Sequence, residues 1–190
     1  MEPIETLVAR VVVLTLDDID TDQIIPARFL TVTGKSRLED ALFADWRSEP
    51  SFPLNQPAAQ GAQILLAGRN FGCGSSREHA VWALQSYGFR AVISTAFADI
   101  FRSNALGNGL LPIELSGSAY AQVLRLCTSD PSIRLRIDLQ YQSVTTPSGL
   151  RFDFPIDPFA KHCLLNGIDA LGYLRSAEAE IASYEANHAR

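Results

Sequence analysis

The segment with the clearest chemical potential is residues 70–79, NFGCGSSREH. Its reactive or permissive members are Gly72, Gly74, Ser75, Ser76 and Arg77. Glycines let a backbone approach a ligand and adopt positive φ, and serines before a helix are typical N-cap residues. The free N–H groups at a helix start bind anions, and a neighbouring guanidinium binds a carboxylate or phosphate through two parallel hydrogen bonds. The segment therefore predicts an anion site with two hydroxyl groups close by.

The spacing does not match the common glycine-rich motifs. The third glycine of a dinucleotide fingerprint would fall at Arg77, and no Gly-Lys-Ser/Thr occurs for a Walker loop. A nucleophile elbow would need a glycine at Glu78. On spacing alone, a carboxylate or phosphate site and a plain capped helix after a tight turn both remain open.

A second candidate is the acidic segment, defined here as residues 17–22, in which Asp18, Asp20 and Asp22 alternate. This spacing is similar to the first half of a calcium loop. Position 6 of such a loop would be Gln23 rather than glycine, and position 12 would be Phe29 rather than glutamate, so calcium is excluded. Two interpretations remain: a turn held by aspartate side chains, or a carboxylate that orients a catalytic group.

Three cysteines, Cys73, Cys127 and Cys163, are far apart in the sequence and none belongs to a C-x-x-C pair. We expect reduced thiols and no metal centre built within this chain. Cys73 lies near a predicted helix start, which could favour its thiolate, although a packing role for a small residue is the other interpretation.

Composition limits the class of protein. Of 190 residues, 47% are hydrophobic and 19% charged, which is typical of a globular chain about one domain long. The net charge is -5 and no basic run occurs, so we expect no nucleic-acid partner. The acidic start lacks the basic and apolar regions of a signal peptide, and apolar runs such as residues 11–14 are too short to span a membrane. We expect a soluble, cytoplasmic protein without a membrane partner.

Periodicity predicts the elements that position these residues. Strands are expected at residues 7–16, 62–67, 91–95, 110–115 and 133–139, with a hairpin over 140–154 that turns at 147–149. Helices are expected at residues 37–46, 80–87, 97–105, 117–126, 158–165 and 168–186, and a proline-rich loop at 49–60. Strands and helices mix without strict alternation, which predicts a mixed α/β domain rather than a regular doubly wound sheet.

Four motifs together carry a family resemblance. They are DTDQIIP (residues 20–26), NFGCGSSREHA (70–80), FADIF (97–101) and HCLLNG (162–167). In this order, over about residues 11–185, the chain resembles the small subunits of 3-isopropylmalate dehydratase (isopropylmalate isomerase), the free counterparts of the C-terminal domain of aconitase. The resemblance implies an aconitase-like swivelling β/β/α domain with a mixed sheet and flanking helices. We expect residues 1–190 to form that single domain.

The resemblance also implies a reaction and a partner. The reaction is the dehydration and rehydration that interconvert 2-isopropylmalate and 3-isopropylmalate through isopropylmaleate in leucine biosynthesis. The partner is a separate large subunit whose own cysteines hold a [4Fe–4S] cluster, with one open iron acting as a Lewis acid. No cofactor is expected in this chain, and the active site would form between the two subunits.

The family's site residues map onto the glycine-rich segment and the acidic segment. Ser75 matches the serine that acts as base, and Arg77 matches an arginine that binds a substrate carboxylate. Ser76 and Gly74 belong to the substrate-binding loop. Asp22 occupies the position of an aspartate near the catalytic machinery.

One region departs from the family pattern. Close relatives carry an Arg-Thr-Gly-Phe-Gly stretch where this chain has GKSRLE at residues 34–39. Lys35 or Arg37 could supply the cation for substrate binding, but lysine cannot make the bidentate contact of arginine. Relatives often carry glutamate at the position of Arg69. We expect residues 31–38 to be mobile or unproductively placed without the partner subunit.

The departure leaves the substrate open, and so alternatives are retained. A paralogous hydro-lyase could act on dimethylmalate or citramalate. The serine loop could also belong to a non-catalytic module that binds a carboxylate. An aconitase-like RNA-binding role is disfavoured by the acidic charge. Every catalytic version requires Ser75 and Arg77 to lie together on the surface.

Overall fold

A seven-stranded mixed sheet organises the chain. The computed structural model describes residues 1–30 and 38–188. The strands lie in the order β4-β3-β2-β1-β5-β6-β7. They are β1 (Thr6–Leu14), β2 (Ile64–Ala67), β3 (Ala91–Ser94), β4 (Leu111–Glu114), β5 (Arg134–Asp138), β6 (Ser143–Thr145) and β7 (Arg151–Asp153). Strands β1 to β4 are parallel, whereas β5, β6 and β7 continue from β1 in antiparallel pairs. The mixed α/β expectation is confirmed.

Seven α-helices accompany the sheet in the part of the chain that the structure describes. They are α1 (Thr21–Ile24), α2 (Glu78–Tyr87), α3 (Asp99–Asn108), α4 (Gly117–Ser129), α5 (Pro158–Asn166), α6 (Ala170–Ser176) and α7 (Glu178–His188). The proline-rich loop contains two 3-10 turns, Pro53–Asn55 and Pro57–Ala59. The single helix predicted over residues 168–186 is divided at Ala177, between α6 and α7. Within the described residues, every helix is too short or too polar to cross a bilayer.

Strand β1 joins two different halves of the sheet. Its first five residues pair with β5, and Val11–Leu14 pair with β2. All residues of β2 and β3 are buried, as parallel strands covered on both faces should be. In β5, by contrast, Arg134 and Arg136 are exposed between buried leucine and isoleucine side chains. The two halves therefore differ in how much of the sheet is covered.

Two hydrophobic clusters pack on opposite faces of the sheet. Because strand side chains alternate, Leu65 and Val92 join one cluster while Leu66 and Ile93 join the other. The first cluster includes the buried parts of α2 and α3, and the second includes those of α4 and α5. Close packing on both faces holds the parallel strands in place, and their ends provide fixed points for the loops that follow.

The helix predicted over residues 37–46 is wrong for the part that the structure describes, because residues 39–48 form a series of turns. The apolar spacing matched one helical face, but Ala41, Leu42 and Phe43 are all buried in succession. Phe43 has φ of 49° and donates its backbone N–H to the carbonyl of Ile24 at 2.8 Å. Tertiary burial from several directions therefore prevails over helical periodicity here.

The four parallel strands all end at one edge of the sheet. The acidic segment follows β1, residues 68–77 follow β2, and residues 95–98 follow β3. In open α/β sheets, ligand sites form beyond the carboxyl ends of the strands. The topology thus brings together the two segments that the sequence marks as chemically interesting.

Candidate functional site

The loop after β2, residues 68–77, is called the glycine loop below. It is held on both sides by backbone hydrogen bonds. On the side of the acidic segment, the N–H of Gly72 donates to Ile19 O at 2.8 Å, and the N–H of Thr21 donates to Cys73 O at 2.9 Å. On the other side, Phe71 exchanges hydrogen bonds of 3.2 and 3.1 Å with the loop after β3. The glycine loop therefore lies like a short extra strand between its neighbours.

Gly72 shows why this loop needs glycine. It is buried with φ of 77°, and a Cβ atom would lie 2.2 Å from Cγ of Phe101. Gly74 also has positive φ, 86°, and its Cβ would lie 3.3 Å from Cβ of Asp20. Both the backbone conformation and the available space thus exclude larger side chains at Gly72.

The two serines lie where the loop leaves the sheet edge, and both are exposed. The backbone carbonyl of Ser75 accepts a hydrogen bond of 2.8 Å from Oγ1 of Thr21, a residue only 2% exposed. This contact anchors the Ser75 backbone while its side chain remains accessible. Accessible hydroxyls are what a site shared with a substrate requires.

The predicted N-cap is wrong by one or two residues. Helix α2 begins at Glu78, and its N-cap is Arg77, which makes no side-chain capping hydrogen bond. Arg77 has extended backbone angles, φ of -139° and ψ of 101°, so the loop stays extended past both serines. The serine side chains therefore do not cap the helix and are available for other contacts.

Arg77 forms an ion pair and hydrogen bond with Asp22 across 55 positions of sequence. The arginine side chain is 17% exposed and the aspartate side chain 54%. A guanidinium has five N–H donors, so one contact with a carboxylate leaves others available. Asp22 lies on α1, whose start is fixed by a capping box between Asp20 and Gln23 with hydrogen bonds of 2.8 Å in both directions. Arg77 is thus oriented by a carboxylate on a well-anchored turn of helix.

The aspartates of the acidic segment make different kinds of contact. Asp17 accepts the backbone N–H of Arg69 at 2.7 Å, and Asp18 accepts the side-chain amide of Asn70 at 2.8 Å. The Arg69 guanidinium lies 3.6 Å from a carboxylate oxygen of Asp18. These aspartates hold the two loops together, whereas Asp22 orients a cationic side chain.

The three cysteines do not converge. All are free; Cys73 is partly exposed on the glycine loop, and Cys127 and Cys163 are buried on α4 and α5. Across residues 1–30 and 38–188, no group of three or more His, Cys, Asp or Glu side chains could hold a metal ion.

Of the two interpretations of Cys73, the thiolate is not favoured. Burial, together with the negative charges of Asp20 and Asp18, raises the pKa of its thiol. The thiol donates instead to the carbonyl of Asp18 at 3.2 Å.

Most of the predicted site residues lie close to one another in the structure. Ser75, Ser76, Gly74, Arg77 and Asp22 come together at the carboxyl edge. Lys35 and Arg37 lie outside the described residues, as does the segment 31–38 that we expected to be mobile, except for Leu38, which is buried. The contact of Thr21 with Ser75 was not predicted, because nothing in the spacing indicates that a threonine between two aspartates is buried.

Comparisons with known proteins show which family and fold the chain resembles. A family model described as the aconitase C-terminal domain matches residues 1–118, and a second, described as LeuD_N, matches residues 121–158. A crystal structure of 3-isopropylmalate dehydratase from Methanocaldococcus jannaschii is similar, with a TM-score of 0.70 and 28% identity, covering 94% of this chain and 99% of that one.

Curated relatives match over nearly their full length. The 3-isopropylmalate dehydratase small subunit of Herpetosiphon aurantiacus is 57% identical over 100% of this chain and 96% of its own. Those of Chloroflexus aggregans and Anaeromyxobacter dehalogenans are 58% and 54% identical, over 99% and 97% of this chain and 95% and 98% of theirs. With its glycine loop, its acidic segment and this full-length similarity, the chain belongs to the family of 3-isopropylmalate dehydratase small subunits.

Proposed function

We propose that this chain provides the proton-transferring and carboxylate-binding half of a split active site for the isopropylmalate isomerase reaction of leucine biosynthesis. The family is that of a hydro-lyase subunit. One observation carries the proposal: Ser75 is exposed at the carboxyl edge, and two residues further along the same loop Arg77 is held by its ion pair with Asp22. Both groups belong to one short loop, and they can therefore contact one small dicarboxylate.

The chemistry explains why these two groups belong together. The carbon next to a carboxylate loses a proton with difficulty, because negative charge then develops on that carboxylate. An oriented guanidinium at Arg77 would stabilise this charge, and the positive end of the α2 dipole would add to it. The hydroxyl of Ser75 is a weak base in water. Its conjugate base becomes accessible only where a cation and helix-start amides stabilise the alkoxide.

Substrate binding completes this half of the site. Ser76 and the backbone at Gly74 would contact the substrate, and Lys35 or Arg37 would supply a second cation. Isopropylmalate is the substrate we propose. If dimethylmalate or citramalate were the substrate instead, the different sequence at residues 34–39 would be the feature that accounts for it.

The small-subunit family implies a large-subunit partner. The residues described here do not fit an iron–sulfur cluster, because the three thiols lie on separate elements and two are buried. We propose that the large subunit carries the [4Fe–4S] cluster and covers the exposed serines. We also propose that the chain is one domain, which the single sheet from β1 to β7 supports, and that it acts in the cytoplasm.

The test is Ser75→Ala in the complex with the matching large subunit, assayed by hydration of isopropylmaleate. We expect kcat to fall by about 10²–10⁴, the usual contribution of a positioned acid–base group. Ser103→Ala is the matched control, because Ser103 is exposed on α3 and should leave kcat unchanged. Near-full activity of the Ser75→Ala complex would remove Ser75 from the mechanism.

The split-site proposal has its own control in the same assay. The small subunit alone should give no turnover, and activity should rise with added large subunit until the two are equimolar. Turnover by the lone chain would contradict the shared site. Binding of isopropylmalate without turnover in any wild-type complex would favour the non-catalytic carboxylate module.

A further inference from the structure

A short series of hydrogen bonds joins the acidic segment to the glycine loop, and the last of them is made by a side chain. The backbone of Ile19 accepts from Gly72, and the backbone N–H of Thr21 donates to Cys73. After Thr21 the chain turns into α1, so its backbone leaves the glycine loop. The hydroxyl of Thr21 then makes the next contact, donating to the carbonyl of Ser75 at 2.8 Å.

Helix α1, which carries Thr21, is held in place by buried side chains and by a backbone hydrogen bond. Ile24 and Ile25 are completely buried, and the carbonyl of Ile24 accepts the backbone N–H of Phe43 at 2.8 Å. Thr21 itself is 2% exposed, so its hydroxyl is shielded from water that could replace the bond. Leaving a buried hydroxyl without its acceptor would destabilise the folded chain, and this cost favours the observed geometry.

We propose that Thr21 is a positioning residue for Ser75, and that α1 thereby sets the relative placement of both reactive side chains. Its hydroxyl holds the Ser75 carbonyl, and the adjacent Asp22 holds the Arg77 guanidinium. The inference rests on the proposed function, because it assigns importance to the position of Ser75. Thr21 acts through Ser75 and has no contact with the reaction itself.

Two substitutions at Thr21 separate its hydroxyl from its methyl group. Thr21→Val keeps the shape and removes the hydrogen bond, whereas Thr21→Ser keeps the bond and removes the methyl. In the assembled complex, we expect Thr21→Val to lower kcat about tenfold with KM within about twofold, as loss of one such bond at a positioned group predicts. Thr21→Ser should retain kcat within about twofold.

A purely structural role would give the opposite order, with Ser worse than Val, because a buried methyl would be lost. That order, or equal kcat in both variants, would overturn the proposal. If Thr21→Val does not assemble, Thr21→Ala replaces it. The Ala variant lacks both groups and Ser lacks only the methyl, so their ratio of kcat isolates the hydroxyl.

Thr146→Val is the control for removal of a buried threonine hydroxyl elsewhere. Thr146 is 4% exposed, and its hydroxyl oxygen accepts the backbone N–H of Leu150 at 3.1 Å in the turn between β6 and β7. Its kcat should match the wild type in the folded complex. A tenfold loss at Thr146 would show that any buried hydroxyl matters, and would overturn the specific role of Thr21.

A double variant distinguishes failure of this inference from failure of the proposed function. Adding Thr21→Val to Ser75→Ala should lower kcat no further, because Thr21 acts through Ser75. An additional tenfold loss would overturn the coupling. If Ser75→Ala itself is fully active, the proposed function fails. If Ser75→Ala is inactive while Thr21→Val is normal, only the role of Thr21 fails.

Discussion

The carboxyl edge of the parallel strands and the antiparallel half of the sheet use loops differently. The glycine loop is hydrogen-bonded to segments that precede it and follow it by tens of residues. The turn between β6 and β7 closes on itself, with Thr146 and Leu150 joined at 2.9 Å. Parallel strands require long crossovers, so their loops meet at one edge from distant parts of the chain. That is why Asp22 and Arg77, 55 positions apart in the sequence, can form an ion pair.

We expect the two regions to differ most in the stability lost when a glycine with positive φ is replaced by alanine. Gly72→Ala places Cβ 2.2 Å from Phe101, whereas Gly149→Ala, in the β6–β7 turn, meets nothing within 4 Å. Both have positive φ, 77° and 86°. We expect the free energy of unfolding to fall by about 3 kcal/mol or more at Gly72, from overpacking plus backbone strain, but only about 1 kcal/mol at Gly149.

Urea unfolding of the two variants measures this difference directly. Gly72→Ala should also impair activity of the assembled complex, because Phe101 and the glycine loop must separate. Equal loss of stability at the two glycines would show that the packing of the glycine loop against α3 is not what distinguishes it from the open turn.

We expect a smaller effect on stability from the titration of Cys127, the buried thiol of α4. Cys73 of the glycine loop, by contrast, is partly exposed. Burial, with a contribution from the Asp130 charge, raises the pKa of Cys127 from 9.0 to about 11. The folded chain therefore holds this proton at pH values where the unfolded chain releases it. Its stabilising contribution is complete below pH 9 and is lost as pH rises to about 11, in total about 2–3 kcal/mol.

Unfolding free energies at pH 8.5, 9.5 and 10.5 would test this for the wild type and for Cys127→Ala. The difference between the two should shrink with pH, because the other titrating groups are common to both. Burial, with the negative charges of Asp17 and Cys127, raises the pKa of Tyr120 to about 12, so its own loss above pH 10 depends in part on Cys127. The comparison of the two proteins below pH 10 therefore isolates the thiol. A difference that stays constant with pH would show that Cys127 does not titrate differently on unfolding.

The smallest effects concern the ion pair at the carboxyl edge. Arg77→Lys keeps the charge but not the fork of donors, and we expect KM for isopropylmaleate to rise about tenfold. Asp22→Asn should raise KM only about threefold, since it loosens the orientation of Arg77 without removing the cation. Steady-state kinetics of the complex measures both. A lower KM in Asp22→Asn would mean that Asp22 competes with substrate for Arg77.

Much of the fold was predictable because its signals are local. The buried strands β2 and β3 and the alternating β5 follow from hydrophobic patterns, and the turn before β7 follows from its proline and glycine. The helix predicted over residues 37–46 was wrong because Phe43 is held by Ile24, which no periodicity reveals. The serine N-cap was wrong because the glycine loop stays hydrogen-bonded to α1 beyond Gly74 and delays the start of α2.

The residue types by themselves identified a glycine-rich segment before a helix, with two serines and an arginine, that could bind a carboxylate or a phosphate. Only the tertiary structure decided which groups support them. Sequence patterns report the environment of each residue along its own element, whereas Thr21 and Asp22 reach Ser75 and Arg77 across more than fifty residues. Those contacts exist because β1 and β2 lie side by side in parallel and end at the same edge.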